Sequence, residues 1–481
     1  SPTAIQRSSN EVEFSEDLDI PEISLERDGC GDQTLYMIGH SIAKVYRIAG
    51  FTSIQYVSHG TSHLRVIPFK MKANLTDYMK FSELCSDKMV RALEFLGIQN
   101  PVIRSGLHGH FEVQVPKPKK FWTNCEFKDL LVYNEKRKIV LADPSEIPIY
   151  NIGLHLDGRV AQLSWEQPFA FAGMPRSGKS TFLQLLALVN LLRYKPAWVC
   201  MGLIDLRKKT MSLFDNLPHL WNGQVITNVD DAIHFLRQAL KECSRRDDIL
   251  TNAGCLNNIW RYNATMLSKG LPPLPIWQIL IDEINTLKDG QRLPVIQEID
   301  ELLEQISRLA SSNGILIGVG AHTASQKSIT TDYRNNCPSR LILHSTRSSS
   351  RHIMDDQSKS GEIGFNLLGR GDSWFTYFGQ DPVRTQLSYL DEEVMISTVE
   401  RLRKEYAGVN PTVMREDLGD SEYVEEPKTS ANLPKVVPVS ATPAKIAASG
   451  QLEVDNLLRA VNSTTEFKPS VLSSTRSVSY S

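Results

Sequence analysis

Residues 169–192 read FAFAGMPRSGKSTFLQLLALVNLL, and the fold of the chain turns on them. The short apolar run FAFA has strand character. It enters Gly173-Met174-Pro175-Arg176-Ser177-Gly178-Lys179-Ser180, a full match to GxxxxGK[ST], and Thr181 opens an apolar segment of helical character. Strand, glycine loop and helix, in that order, are the context this motif requires. Glycines let successive backbone N–H groups curl around a β-phosphate, and the N-terminus of the following helix favours negative charge. In such a loop Lys179 bridges the β- and γ-phosphates while Ser180 ligates Mg²⁺. Residues 173–181 are therefore the expected nucleotide site, with ATP and Mg²⁺ the expected cofactors.

Further along, Ile279-Leu280-Ile281-Asp282-Glu283 ends an apolar run in two carboxylates. Asp282 is placed to hold Mg²⁺ through water, and Glu283 to polarise the attacking water as general base. The bland alternative is an acidic pair that caps the next helix. A complete phosphate loop in the same chain weighs towards the catalytic role. An Asp-Glu ending is typical of P-loop ATPases that hydrolyse for mechanical work, less so of kinases or GTPases.

Outward from these motifs, strand-like runs (FAFAG, AWVCMGLID, WQILIDE, GILIGVGA, SRLILHS, DSWFTYF) alternate with helical segments across residues 148–406. That alternation predicts an α/β domain with a largely parallel sheet. Residues 33–147 predict a small α+β domain. FTSIQYVSHG, SHLRVIPFKM and HFEVQVP read as its strands, and Phe81–Leu96 as a helix capped by Ser82. Residues 1–32 read as a flexible polar arm. Residues 407–481, rich in Pro, Ser, Ala and Thr, read as a disordered tail. Within the tail, residues 451–462 (QLEVDNLLRAVN) have helical spacing: either a helix that folds on a protein partner or a weakly helical stretch.

Composition narrows the function classes. Hydrophobic residues make up 41% of the 481, charged residues 22%, and the formal net charge is −2. Without a basic excess, contact with a nucleic acid would need a local patch or a pore assembled from several subunits. The 7 cysteines are scattered with no CxxC pair, which signals neither zinc nor disulfides and suits a reducing cytoplasm. No stretch approaches ~18–20 uninterrupted apolar residues, so no transmembrane helix is expected.

The segment between the loop and the carboxylates is more telling. Ile204-Asp205-Leu206-Arg207, Met211-Ser212-Leu213-Phe214 and Leu217-Pro218-His219-Leu220 resemble, in order, the IDPK, LS-aromatic and PHL elements of the FtsK/SpoIIIE family of double-stranded-DNA translocases. Leu206 and Arg207 replace the family's proline and lysine, keeping the positive charge. The resemblance continues through Arg245-Arg246, NNIWRYN (257–263), the sensor-bearing stretch 298–325, NNCPSRLILHSTRSSSRHIMD (335–355) and LLGRGDSWFTYFGQDPVRTQ (367–386). It implies a RecA-like P-loop motor domain preceded by a small α/β domain.

The resemblance also implies a ring, hexameric in form, with duplex DNA in its pore and ATP at subunit interfaces. A neighbouring subunit then supplies an arginine. Arg340 and Arg351 stand at the matching positions, although either could instead form an intrasubunit ion pair. Where the family's sensor glutamine sits, this chain has His322, which either senses the γ-phosphate or simply ends a strand. The basic cluster Arg207, Lys208 and Lys209 either touches DNA phosphates or is a solvated loop. The family's membrane helices and winged-helix domain are not recognisable, so a cytoplasmic plasmid, conjugative-element or phage relative is expected. A rival reading is an ATP-switched coupling or scaffold protein that recruits partners and moves nothing. A transporter ATPase would need an LSGGQ-type signature, which is not found.

Overall fold

The structure, a computed structural model, describes residues 25, 29–60, 64–106, 108–131, 139–255, 258–354, 359–377 and 380–411. Most of the expected N-terminal arm, and nearly all of the tail with its 451–462 segment, lie outside the described residues. The chain divides into two compact units, residues 1–124 with 156–159, and residues 125–155 with 160–481. The described residues of 125–147, which sequence alone grouped with the first domain, thus lie with the second unit. There Phe127 and Ala142 join the core.

In the first unit, β1 (Gln55–His59), β2 (Val66–Lys72), β3 (Val102–Ser105) and β4 (His110–Pro116) form an antiparallel sheet in the order β1-β2-β4-β3. Alternation puts Ile67, Phe69 and Met71 of β2 on one face, in register with Val115, Val113 and Phe111 of β4. The helix Asp32–Ile48 joins the same core with Leu35, Ile38, Ile42 and Tyr46, the three- and four-residue spacing of an amphipathic helix. The single helix expected over Phe81–Leu96 is in fact two, Phe81–Leu84 and Asp87–Phe95. Ser86, not Ser82, caps the longer one by accepting from the Met89 N–H, and Asp87 adds a favourable charge to its first turn. Tyr46 Oη donates to the Leu84 carbonyl at 3.2 Å, satisfying the end of the shorter helix.

The second unit is built on one large mixed sheet. Its parallel half comprises β8 (Phe169–Ala172), β9 (Val199–Ile204), β10 (Ile276–Ile281), β11 (Ile315–Ala321) and β12 (Ser339–Leu343), in the order β12-β8-β11-β10-β9. Residues of β8 to β11 are buried throughout, as expected for parallel strands covered on both faces. Helices Lys179–Arg193, Val229–Asn252 and Leu293–Leu309 follow β8, β9 and β10. Beyond β12 the sheet turns antiparallel through β13 (Asp372–Thr376), β14 (Val383–Tyr389), β6 (Ile149–His155) and β7 (Val160–Ser164), with β5 (Cys125–Glu126) added beside β14. This half was not legible as strands except for β13, because β6, β7 and β14 mix polar with apolar residues.

One feature of the order controls the site. β11 is inserted between β8, which carries the phosphate loop, and β10, which ends in the carboxylates. The carboxyl ends of three neighbouring strands therefore deliver the loop, His322, and the Asp282–Glu283 pair to one edge.

Candidate active site

The phosphate loop is zipped in at its start. Gly173 N–H donates to the Ala321 carbonyl at 3.1 Å and Met174 N–H to the His344 carbonyl at 2.9 Å, the ends of β11 and β12. Gly178 closes the loop at φ 109°, a left-handed conformation that favours glycine. A Cβ there would also lie 2.5 Å from the Gly371 nitrogen. That close approach is part of a buttress. Gly371 N–H donates to the Ser177 carbonyl at 2.7 Å, and Leu387 N–H to the Gly371 carbonyl at 2.8 Å. Beneath it, Asp372 accepts from Arg384 Nε at 3.0 Å and Nη2 at 2.6 Å, a buried bidentate pair. Met174, Pro175 and Arg176 are exposed at the loop's tip.

Lys179, the first residue of the helix, is 3% exposed. Its ammonium donates to Asp282 Oδ1 and to the Asp282 carbonyl, both at 2.6 Å, and lies 3.9 Å from Glu283 Oε2. Glu283 divides its oxygens. Oε1 accepts from Asn285 N–H at 3.4 Å and caps the short helix Ile284–Lys288, while Oε2 accepts from the His322 N–H at 2.6 Å. Capping and a place in the site are thus not alternatives. His322 Nε2 is 3.4 Å from Glu283 Oε2, and its Nδ1 is 3.2 Å from the Gly173 carbonyl. A carbonyl only accepts, so Nδ1 carries a proton. The imidazole spans the loop and the carboxylate.

Thr210, a residue to which the sequence assigned no role, completes the group. Its hydroxyl donates to Asp282 Oδ2 at 2.9 Å and lies 3.3 Å from Ser180 Oγ. Asp205, the second residue of the IDLR element, holds Thr210 there. Its carboxylate accepts N–H groups from Arg207, Lys209, Thr210 and Met211 at 2.7–3.2 Å. A carboxylate directly after a strand, followed by a cluster of polar residues, was the available signal for such a knot.

The residues fit a magnesium nucleotide. Ser177 Oγ is buried in the loop without a hydrogen-bond partner, as a group awaiting a phosphate oxygen would be. The Ser180 and Thr210 hydroxyls and Asp282 Oδ2 make a hard-oxygen set suited to Mg²⁺. One buried ammonium also faces two buried carboxylates, leaving a negative charge that a divalent cation matches.

The remaining candidates are not all brought together. Arg340 sits in register with Ala170, short of the loop, and its Nε donates back to the Cys337 carbonyl at 3.0 Å. Arg351 is exposed on the helix Arg347–Met354, which follows the carboxyl end of β12, the loop's own edge of the sheet. Arg207, Lys208 and Lys209 are exposed on the loop after β9. Among the described residues, no helix is long and apolar enough to cross a membrane.

Loop, strand order and carboxylate pair define a RecA-like P-loop nucleoside-triphosphatase domain. Within that class, the FtsK/SpoIIIE family model matches residues 159–313 of this chain. A DNA translocase FtsK of Oceanobacillus iheyensis is 29% identical over 257 residues, 51% of this chain and 32% of that protein. The DNA translocase SpoIIIE of Bacillus subtilis is 24% identical over 335 residues, 66% of this chain and 41% of that protein. The chain thus spans well under half the length of these relatives. Among solved structures, the conjugation coupling protein TcpA of pCW3, in monomer form with ATPγS, aligns at TM-score 0.49 and 18% identity. That alignment covers 76% of this chain and 99% of TcpA.

Proposed function

We propose that this chain is an ATP-driven double-stranded-DNA translocase motor that works as a ring of copies, hexameric in form. The observation that carries the reading is the triangle at Glu283, whose Oε2 meets the His322 backbone, the His322 ring and Lys179 on a domain of the FtsK/SpoIIIE family. Glu283 is the base that takes a proton from the attacking water, and His322 aims it from the strand between loop and base. Lys179 is the buried cation that meets the transferring phosphoryl group. Ser180 and Asp282 would hold Mg²⁺, which would supply charge neutralisation to the phosphates. Thr210 orients the Asp282 carboxylate.

In a ring, a neighbouring subunit completes such a site with an arginine. Exposure, and a helix at the loop's edge of the sheet, favour Arg351 over Arg340. The exposed Arg207-Lys208-Lys209 triplet is the proposed contact to DNA phosphates.

The test is ATP hydrolysis with and without long duplex DNA, with Lys179→Ala and Glu283→Gln as controls. Strong stimulation by duplex, lost in both variants, is the expected result. Nucleotide binding with turnover indifferent to DNA would overturn the motor and favour the nucleotide-switched scaffold.

A further inference from the structure

The loop from Asp205 to Met211 is tied down more firmly than its exposed cations require. Asp205, itself buried, gathers four backbone N–H groups from beneath it. Lys208 adopts φ 53°, a left-handed residue that gives the turn a single shape. At the loop's end, Thr210 is fastened at three atoms. Its N–H goes to Asp205 Oδ2 at 2.7 Å. Its carbonyl accepts from Gln184 Nε2, on the phosphate-loop helix, at 2.8 Å. Its hydroxyl reaches Asp282 Oδ2 at 2.9 Å, beside Ser180 Oγ. Arg207, Lys208 and Lys209 thus lie one to three residues from a side chain in the hydrolytic site, on a loop whose backbone is tied to the one Asp205 carboxylate.

We propose that Thr210 is a positioning residue that couples the basic triplet to Asp282, so that duplex DNA held at Arg207–Lys209 changes nucleotide handling through this loop. The inference rests on the motor reading above. The physical requirement is that the two ligands share a bistable element. We assign that role to the Thr210–Asp282 hydrogen bond, a side-chain link between the loop and the carboxylate against which Ser180 and Lys179 lie. Because coupling is reciprocal, the factor by which duplex changes nucleotide affinity must equal the factor by which nucleotide changes duplex affinity.

The full chain, as wild type, Thr210→Val and Thr210→Ser, would be titrated with ATPγS and Mg²⁺ with and without a saturating duplex. The reverse titration would follow duplex binding with and without ATPγS. Far-ultraviolet circular dichroism melts would confirm that all three fold. Wild type should show a mutual effect of about fivefold or more in both directions. Measured against each variant's own affinities for the two ligands, Thr210→Val should reduce the mutual effect to about twofold or less, and Thr210→Ser, which keeps the hydroxyl, should restore it. Full wild-type coupling in Thr210→Val would overturn the inference and leave the motor reading standing. Wild type that binds no duplex, or shows no mutual effect, would overturn both.

Discussion

Glu283 sits 4% exposed with its two oxygens assigned to different tasks, one to a helix cap and one to the site. Its replacement by glutamine keeps the shape and removes the base. Glu283→Gln should therefore bind ATP normally, with kcat lowered by roughly 10²–10⁴-fold, measured by steady-state hydrolysis beside nucleotide titration. Lys179→Ala should lose binding as well, because it leaves two buried carboxylates without their ammonium. His219 is a different kind of residue. It is fully buried, its ring nitrogen Nε2 donates to the Tyr194 carbonyl at 3.1 Å, and burial lowers its pKa from 6.5 to about 4. Between those pH values the unfolded chain binds a proton that the folded one refuses. The stability due to His219 is therefore present above pH 6.5 and lost as pH falls towards 4, a change of ~3 kcal/mol. Urea unfolding over this range should show the acid limb flattened in His219→Gln, which can still donate to Tyr194 but does not titrate.

At the scale of elements, the phosphate loop depends on a loop that follows it by nearly two hundred residues. Gly371 supports the Ser177 carbonyl, and the Asp372–Arg384 pair fixes Gly371's neighbours in turn. Asp372→Ala leaves Arg384 buried without its carboxylate, at a cost of about 3–5 kcal/mol in chemical denaturation. ATP affinity should fall with it, since the buttress loosens. The double change Asp372→Ala/Arg384→Met should recover most of the stability, which separates the uncompensated charge from the packing. In the first unit, Ser86→Ala should cost ~1 kcal/mol, the loss of an N-cap. Ser82→Ala should be close to neutral, which reports where the helix starts.

At the scale of the molecule, the ring reading has a consequence that one polypeptide cannot show. If Arg351 completes a neighbour's site, Arg351→Ala and Glu283→Gln are each inactive alone. A mixture of the two should regain hydrolysis, because some interfaces then pair an intact base with an intact arginine. An arginine acting within its own subunit gives no recovery, and the assay is turnover against mixing ratio. Sedimentation with ATPγS and duplex would report the assembly directly.

Much of this protein was written locally. The phosphate loop, the Asp282–Glu283 ending and nine strands were legible because each depends on a few consecutive residues: glycines that permit a tight loop, an apolar run that ends in carboxylates, and a period that fits a strand. The break at Cys85–Ser86 was missed because two short helices share one apolar rhythm. Tertiary structure alone decided that β11 lies between β8 and β10, that His322 reaches Glu283, that Gly371 braces Ser177, and that Thr210 meets Asp282. Those contacts join residues 38 or more positions apart. They follow from which strand edges pair and which faces bury, choices settled by the free energy of the whole core and not by any one segment of it.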